Sequence, residues 1–345
     1  MKPLFHPQLV NDPFGDPALY VELLFEHRAL LFDLGDIRAL PPRKLLRVSH
    51  VFVSHAHMDH FIGFDHLLRI CVGRDKQLRL YGPAGFLAQV EHRLAGYTWN
   101  LVENYSDELV LEVYEVLSAT RGRCARFRCR SAFRREAERE VHLNDGAVLE
   151  ENGLSVHCAL LDHRTPSLAF RVQEHEHINI WKTRLEALAL PTGPWLRELK
   201  EAVREGLPDT TPIAVPEPGG GRIRPLGELR DQVVQVVPGG ALAYVTDCLF
   251  SPLNATRILR LARSVEWLFI EAPFLMRDGE HARRTCHLTA AQAGWLARHA
   301  GARRVTPFHF SPKYQAEPEA LEAELAAALR GHFPRGGGCP ARPPA

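Results

Sequence analysis

Three histidines and an aspartate are concentrated in residues 54–60, SHAHMDH, directly after the apolar run 48–53. The apolar run predicts a buried strand, and the polar residues then form a loop at its carboxyl end. Imidazole nitrogens and carboxylate oxygens at this density are typical of a site for a metal such as zinc. The alternative is a histidine-rich surface turn, which the dense H-x-H-x-D-H pattern disfavours. We therefore predict a metal site here, with further ligands elsewhere.

Candidate ligands follow other short apolar runs along the chain. Residues that close such a run or directly follow it are His55, His163, Asp247, Glu271 and His309, with Asp33 as a less distinctive case. Since strand ends at one edge of a sheet converge on one cleft, ligands that lie far apart in sequence can meet there. Taken alone, His163 and Asp33 are explained equally well as ordinary turn residues. Together with the loop, the set exceeds what one tetrahedral zinc accepts, which favours two metal ions.

The number and type of these ligands also restrict the chemistry. Two metal ions about 3.5–4 Å apart can hold a hydroxide between them and stabilise a displacement at phosphorus or carbonyl carbon. The residues therefore indicate a two-metal hydrolase, without deciding between a phosphodiester and a carbonyl ester such as a lactone or thioester. A non-catalytic metal-binding or RNA-binding protein is a third hypothesis, which the complete ligand set disfavours.

Composition restricts the class of protein around this site. With 345 residues, 46% of them hydrophobic, the chain is long enough for a large buried core. The formal charge of +1 does not mark the chain as a general polyanion binder, so an RNA partner would need a local basic patch. The seven cysteines include no C-x-x-C pair, which favours a reducing compartment. No apolar run reaches the roughly 20 residues of a membrane span, so we expect a cytoplasmic protein without a membrane partner.

One stretch of the chain is strongly basic. Residues 121–139 contain eight arginines and two glutamates, a local charge of 8 − 2 = +6. Arg126, Arg128 and Arg130 alternate there with apolar residues, which is typical of a half-exposed strand with a basic outer face. The functional alternative is that these arginines bind the phosphates of RNA, and this alternative is attractive only if the active site acts on RNA.

As a set, the motifs resemble the metallo-β-lactamase fold and, within it, the ribonuclease Z group of tRNA 3′-processing endonucleases and their close homologues. The motifs are LFDLG around Asp33, HAHMDH at 55–60, LDHRTP around His163, YVTD ending at Asp247, EAPF beginning at Glu271, HLT beginning at His287 and HFSPKY beginning at His309. The resemblance runs over residues 33–314, nearly the whole chain. It implies an α/β (α+β) fold, a four-layer αββα sandwich.

The resemblance also implies a role for each residue. One zinc would be held by His55, His57 and His163, and the second by Asp59, His60 and His309, with Asp247 bridging the two. The bridging hydroxide would attack phosphorus, Asp59 would orient or deprotonate the attacking water, and His287 would assist protonation of the leaving oxygen. Glu271 would fix an imidazole, and Asp33 would be structural. The implied cofactor is two Zn²⁺ per chain, with Mn²⁺ as a substitute.

The implied substrate is precursor tRNA, cut to remove its 3′ trailer. In the family, an arm that grips tRNA lies between the third and fourth metal motifs, where this chain has residues 181–226. We expect one hydrolase domain over 1–333 that includes this arm, an irregular loop at 208–226, a homodimer as in the family, and a disordered tail at 334–345. Residues 182–205 are nearly balanced in charge, whereas such an arm is usually basic. The alternative substrate is therefore a small-molecule phosphodiester, a lactone or a thioester.

Overall fold

The computed structural model describes residues 5–24, 26–151, 153–216, 220–237 and 239–333. The chain divides into two compact units, Met1–Gln173 with Gly240–Ala345, and Glu174–Gly239. The first unit carries the residues of the predicted metal site. Among the described residues, every helix is too short or too polar to traverse a bilayer. The tail predicted at 334–345 lies outside the described residues.

The first unit contains a sheet of eight strands in sequential order, counted over the described residues. Its strands are β1 (Phe5–Leu9), β2 (Leu19–Leu23), β3 (Arg28–Phe32), β4 (Val48–Phe52), β5 (Lys76–Pro83), β6 (Leu109–Val116), β7 (Arg121–Arg128) and β8 (Arg139–His142). The strands from β3 to β6 run parallel, and the outer ones pair antiparallel. Parallel pairing of β3 with β4 brings Asp33 and the loop 54–60 to the same edge.

A second sheet of the same unit carries the remaining site residues. Its strands are β9 (Ala147–Glu151), β10 (Leu154–Asp162), β11 (Pro166–Glu174), β16 (Ala241–Val245), β17 (Trp267–Glu271) and β18 (Arg304–Phe308), in the order β18-β17-β16-β11-β10-β9. The strands β16, β17 and β18 run parallel. Asp247, Glu271 and His309, which close or follow these three strands, therefore lie at one edge.

The two sheets face each other across an apolar core, and helices cover their outer faces. Phe32, Phe52, Phe170, Tyr244 and Phe308 belong to the core between the sheets. The helices α1 (Pro42–Leu45), α2 (Met58–Phe61), α3 (Phe64–Cys71) and α4 (Phe86–Ala95) share a core with the first sheet. The helices α8 (Pro252–Leu261), α9 (Gly279–Thr285), α10 (Ala290–Ala300) and α11 (Pro318–Leu329) share one with the second. The predicted α/β class and four-layer αββα arrangement are confirmed.

Gly63 positions the metal loop against the end of β3. It lies between α2 and α3, and its backbone N donates to Leu34 O at 2.7 Å. A Cβ at this position would lie 2.3 Å from Gly35 O, so a larger residue would push the two segments apart. Leu34 N in turn donates to His60 O at 2.8 Å. The loop is thus held by backbone contacts that only glycine permits.

The unit Glu174–Gly239 has an apolar core of its own. It contains β12 (His177–Ile180), β13 (Pro212–Val215), β14 (Arg222–Pro225) and β15 (Val234–Val237), with α5 (Lys182–Ala187), α6 (Trp195–Arg204) and α7 (Leu226–Val233). The irregular loop predicted for 208–226 is wrong, because β13 pairs with β14 and buries Ile213 and Val215. The predicted arm, 181–226, lies inside this unit, and its role as an arm stays a prediction.

Candidate metal centre

The structure brings the predicted metal ligands into one cluster at the ends of strands from both sheets. One nitrogen or oxygen atom of each residue lies within 4.8 Å of the others in three groups, which are His55, His57, His163 and Asp247; Asp59, His60 and His309; and Asp247, Glu271, His287 and His309. Most of these side chains are buried, whereas His57 is exposed. These residues are spread over more than 250 residues of sequence, and the fold brings them together.

Asp247 lies at the centre of the cluster. Its Oδ2 is 3.5 Å from His55 Nε2 and 3.3 Å from His163 Nε2. Its Oδ1 is 3.4 Å from His60 Nε2 and 3.0 Å from His309 Nδ1. Each oxygen of this one carboxylate therefore faces a different pair of imidazoles, so Asp247 could serve as a ligand to two metal ions.

Asp33 fixes two of the imidazoles. Its fully buried carboxylate accepts hydrogen bonds from Ser54 N (2.6 Å), Ser54 Oγ (2.9 Å), His60 Nδ1 (2.8 Å) and the Tyr244 hydroxyl (2.8 Å). Because the Ser54 hydroxyl gives its proton to Asp33, it accepts a hydrogen bond from His55 Nδ1 at 3.0 Å. In its neutral form, each of these two imidazoles therefore carries its proton on Nδ1 and turns the lone pair of Nε2 toward the cluster.

The same tautomer is fixed for His163, whose Nδ1 donates to Cys286 O at 2.9 Å. His55 Nε2 and His60 Nε2 are buried and make no hydrogen bond to the described residues. Leaving a buried polar group unsatisfied costs about 1–3 kcal/mol, and a metal ion would satisfy a lone pair of this kind. The residues present therefore fit a centre for ions that accept imidazole and carboxylate ligands, zinc among them.

The electrostatics of the cluster favour added positive charge. Burial, together with the neighbouring His60, lowers the pKa of His55 to about 2 and keeps its imidazole neutral. Burial also acts against a charged His60, but Asp247 and Asp33 outweigh it and raise the pKa of His60 well above its usual value. Despite its burial, Asp247 has a pKa well below the usual range because His309 and His60 stabilise the anion. Ionised carboxylates thus attract cations to the centre.

Glu271 and His287 form a hydrogen-bonded pair beside the ligands. Glu271 accepts from His287 Nδ1 at 2.8 Å and from the backbone N of Cys248 and Leu288, each at 3.1 Å. Although Glu271 is fully buried, His287 lowers the pKa of this carboxyl to about 2. Burial disfavours the imidazolium, but Glu271 outweighs it and raises the pKa of His287 above its usual value. The pair therefore holds a proton on an imidazole that is 17% exposed.

Backbone conformation helps to turn the site residues inward. Asp33, Asp247 and His309 have φ angles of 56°, 45° and 60°, in the left-handed region. This conformation is uncommon for residues other than glycine, although aspartate and histidine tolerate it better than most. Asp33 and His309 directly follow a strand, and Asp247 follows one after a single residue, so the chain turns sharply at each of them. Strained backbone of this kind clusters at functional sites.

The N-terminal segment also reaches the centre, and no ligand-like spacing marked it in the sequence. Phe310 N donates to Pro13 O at 2.7 Å, and the rings of Phe14 and Phe310 pack with centroids 5.5 Å apart. Asp16 lies near enough to Asp59 that burial and this second carboxylate both raise the pKa of Asp16. Residues 13–16 therefore form part of the wall beside His309.

The basic strand is largely neutralised. On β7, Arg126 Nε donates to Glu112 Oε1 at 3.1 Å and Arg128 Nε donates to Glu136 Oε1 at 2.7 Å. Arg130 follows in the short turn after the strand. These ion pairs favour the structural explanation of the alternating arginines, and their contact with RNA stays a prediction.

Comparison with known proteins agrees with this geometry. Residues 31–106 match the family model described as a beta-lactamase superfamily domain. A ribonuclease Z from Deinococcus radiodurans is 31% identical over 331 residues, which cover 94% of this chain and 95% of that protein. A ribonuclease Z from Synechocystis is 28% identical over 289 residues, covering 83% of this chain and 73% of that protein.

Solved structures show the fold independently. The metallo-beta-lactamase fold protein YhfI from Bacillus subtilis aligns with a TM-score of 0.53 at 12% identity, covering 94% of this chain and 93% of that one. Yeast PDE1 aligns with a TM-score of 0.52 at 8% identity, covering 96% and 95%. The fold is thus shown by structure, and the family by sequence identity over nearly the full length of both chains. The chain belongs to the ribonuclease Z family of metal-dependent, metallo-β-lactamase-fold hydrolases.

Proposed function

We propose that this protein is a two-zinc endonuclease that removes the 3′ trailer of precursor tRNA. The observation that carries the proposal is the position of Asp247, whose two oxygens face His55 with His163 on one side and His60 with His309 on the other. Relatives that match 94% and 83% of this chain are named ribonuclease Z, which supports RNA as the substrate class.

The ligands would divide into two sets. One zinc would be held by His55, His57 and His163, the other by Asp59, His60 and His309, and both by Asp247. Bound zinc would supply an activated water and would neutralise charge on the scissile phosphate, and Mn²⁺ could substitute for it. The chain's own residues hold the imidazoles in the ligating tautomer through Asp33, Ser54 and the carbonyl of Cys286.

Asp59 is the best placed residue to orient the attacking water. Its side chain is 41% exposed, and its Oδ2 lies 3.3 Å from His309 Nε2 and 3.4 Å from His60 Nε2. Partial burial acts against its ionisation, but His309 and His60 outweigh this and keep the pKa of Asp59 well below its usual value. The carboxylate is therefore available as an acceptor at the open side of the centre.

His287 is the proposed proton donor to the leaving oxygen. Its Nδ1 is engaged by Glu271, so Nε2 is the atom free to donate. Because Glu271 raises the pKa of His287, the imidazole keeps its proton nearer neutral pH than an ordinary histidine does. Glu271 acts through His287 and is thus a positioning residue.

One observation favours a smaller substrate. Residues 174–239, which include the proposed arm, contain eight lysines and arginines and ten aspartates and glutamates, a formal charge of 8 − 10 = −2. A surface that grips tRNA gains affinity from excess positive charge. A small-molecule phosphodiester is therefore the second candidate, with a lactone or thioester as the carbonyl alternative. The proposal of a tRNA-processing enzyme also includes homodimerisation and a cytoplasmic location.

The test is a cleavage assay with matched substrates. Purified protein would be incubated, with Zn²⁺ or Mn²⁺, with a trailer-bearing tRNA precursor and with the mature tRNA as control. We expect cleavage of the precursor alone, leaving a 3′-hydroxyl. Turnover of bis-p-nitrophenyl phosphate without precursor cleavage would instead identify a small-molecule phosphodiesterase. Turnover of only a lactone or thioester would overturn phosphodiester chemistry altogether.

A further inference from the structure

A cavity of about 480 Å³ lies in the first unit, away from the ligand cluster. It is lined by β10, by β11, by α8 and by the segments around residues 116–119 and 145. Small-molecule sites in proteins have volumes of about 300–1,000 Å³, so this cavity is large enough for one. None of its lining residues belongs to the proposed metal centre.

Three arginines line this cavity against one carboxylate. They are Arg171 on β11 and Arg257 and Arg260 on α8, and the carboxylate is Asp145. The charge at the cavity is therefore 3 − 1 = +2 with neutral histidine. Ala159 and Leu261 supply apolar walls. A cationic rim beside apolar walls matches a ligand that has both an anionic group and an apolar body.

Two of these arginines have structural partners that account for them. Arg171 Nη1 donates to Leu261 O and Arg263 O, both at 2.9 Å, at the carboxyl end of α8, where a cation is favourable. Arg260 Nη2 donates to Asp145 Oδ2 at 2.6 Å in an exposed ion pair. Both residues are explained without a ligand, although their charges remain at the cavity.

Arg257 is the arginine that the fold leaves available. Its one hydrogen bond in the described structure runs from Nη1 to Leu160 O at 2.7 Å, and it has no carboxylate partner among the described residues. A guanidinium has five N–H donors in a planar fork that suits carboxylate and phosphate groups. Arg257 lies three residues before Arg260 on the same face of α8, so both charges point to one rim.

We propose that this cavity binds a small organic anion, with its carboxylate or phosphate group on Arg257 and its apolar body against Ala159 and Leu261. The site is independent of the metal centre and of the proposed tRNA substrate.

The test measures binding of defined probes to the full-length protein by calorimetry. The probes are decanoate, decyl phosphate and, as the neutral control, decanol. The variants are Arg257→Gln, which removes one of the positive charges at the rim, and Ala159→Phe, which fills the cavity. Arg304→Gln is the matched control, because this exposed arginine lies on β18, at the opposite edge of the second sheet. Circular dichroism of each variant would verify folding.

We expect saturable binding of one anionic probe per chain, at least about tenfold tighter than decanol, as for a charge-assisted hydrogen bond. Arg257→Gln should weaken it about tenfold, and Arg304→Gln should leave it unchanged. The stronger of the two anions identifies the head group. The proposal is overturned by absence of saturable binding, by equal binding of decanol, or by unchanged affinity in Arg257→Gln, which remains informative even if Ala159→Phe does not fold.

Discussion

Two polar regions of the first unit differ in whether their buried polar groups have hydrogen-bond partners. In one, which we call the arginine row, Glu112 accepts from Arg79 at 3.2 Å, Arg126 at 3.1 Å and Arg139 at 2.7 Å. In the metal centre, His55 Nε2 and His60 Nε2 make no hydrogen bond to the described residues. Charges that satisfy one another stabilise a fold, whereas buried groups left without partners indicate a ligand. Substitutions should therefore separate activity from stability.

The largest effect is expected at the metal centre. Asp59→Ala should lower kcat about a thousandfold or more, because the carboxylate that we propose to orient the attacking water is lost. The free energy of unfolding should change little, since this side chain is 41% exposed. The measurement is hydrolysis of bis-p-nitrophenyl phosphate beside urea unfolding. Met58→Ala is the matched control, because the neighbouring Met58 is 77% exposed and is not one of the proposed metal ligands. A near wild-type rate for Asp59→Ala would remove its assigned role.

The opposite result is expected in the arginine row. Glu112→Gln should lower the free energy of unfolding by about 2 kcal/mol, because a carboxylate only 3% exposed loses its charge among three arginines. Hydrolytic activity should stay at the wild-type level. Glu136→Gln, which breaks an exposed pair with Arg128, should cost less than about 1 kcal/mol. If Glu112→Gln lost activity while keeping its stability, the contrast between the two regions would fail.

The same contrast explains what could be predicted from sequence. Ligands that follow apolar strands are visible as local patterns, so the fold class and the clustering residues could be predicted. The support of the ligands depends on pairs that only the fold creates, such as the Tyr244 hydroxyl on Asp33, 211 residues away. The pairing of Arg126 with Glu112 likewise requires the register of β6 against β7, and a basic strand without its partners resembles an RNA-binding edge.

Backbone conformation was also beyond the sequence patterns. Asp33, Asp247 and His309 have left-handed φ angles. Residues other than glycine rarely adopt this conformation, so the sequence does not predict it. The strands β13 and β14 are only four residues each, which is too short to show a clear alternation of apolar and polar residues. The many prolines and glycines around them favour the prediction of a loop. Short elements of this kind are determined by the core they join, here that of Glu174–Gly239.

His50 provides a smaller effect that depends on pH. It is buried, and burial together with Arg79 and Arg28 lowers its pKa to about 3. In the unfolded chain the pKa is about 6.5, so between these values the unfolded state binds the extra proton. Stability should therefore fall as the pH drops from 6.5 toward 3, by up to about 1.4 kcal/mol per pH unit.

Urea unfolding across this pH window would check the contribution of His50. His50→Gln should make the dependence on pH shallower, whereas His142→Gln, at an exposed histidine, should leave it unchanged. The same slope in both variants would show that His50 does not carry this dependence.

The smallest effect is expected for RNA binding. Replacing Arg126, Arg128 and Arg130 together by glutamine should change the slope of log affinity against log salt by less than about 1. Contacts with three phosphates would change it by about 2 to 3. We expect the small value because Glu112 and Glu136 already pair with two of these arginines. A change near 3 in a salt titration would instead assign the strand to RNA.

The metal content of the purified protein tests the central claim most directly. Elemental analysis by mass spectrometry should find about two zinc ions per wild-type chain, because one carboxylate can be a ligand to two metal ions. Asp247→Asn should retain clearly less zinc, while Glu112→Gln should retain the wild-type amount. One ion or fewer per wild-type chain, or full zinc content in Asp247→Asn, would contradict a two-zinc centre bridged by Asp247.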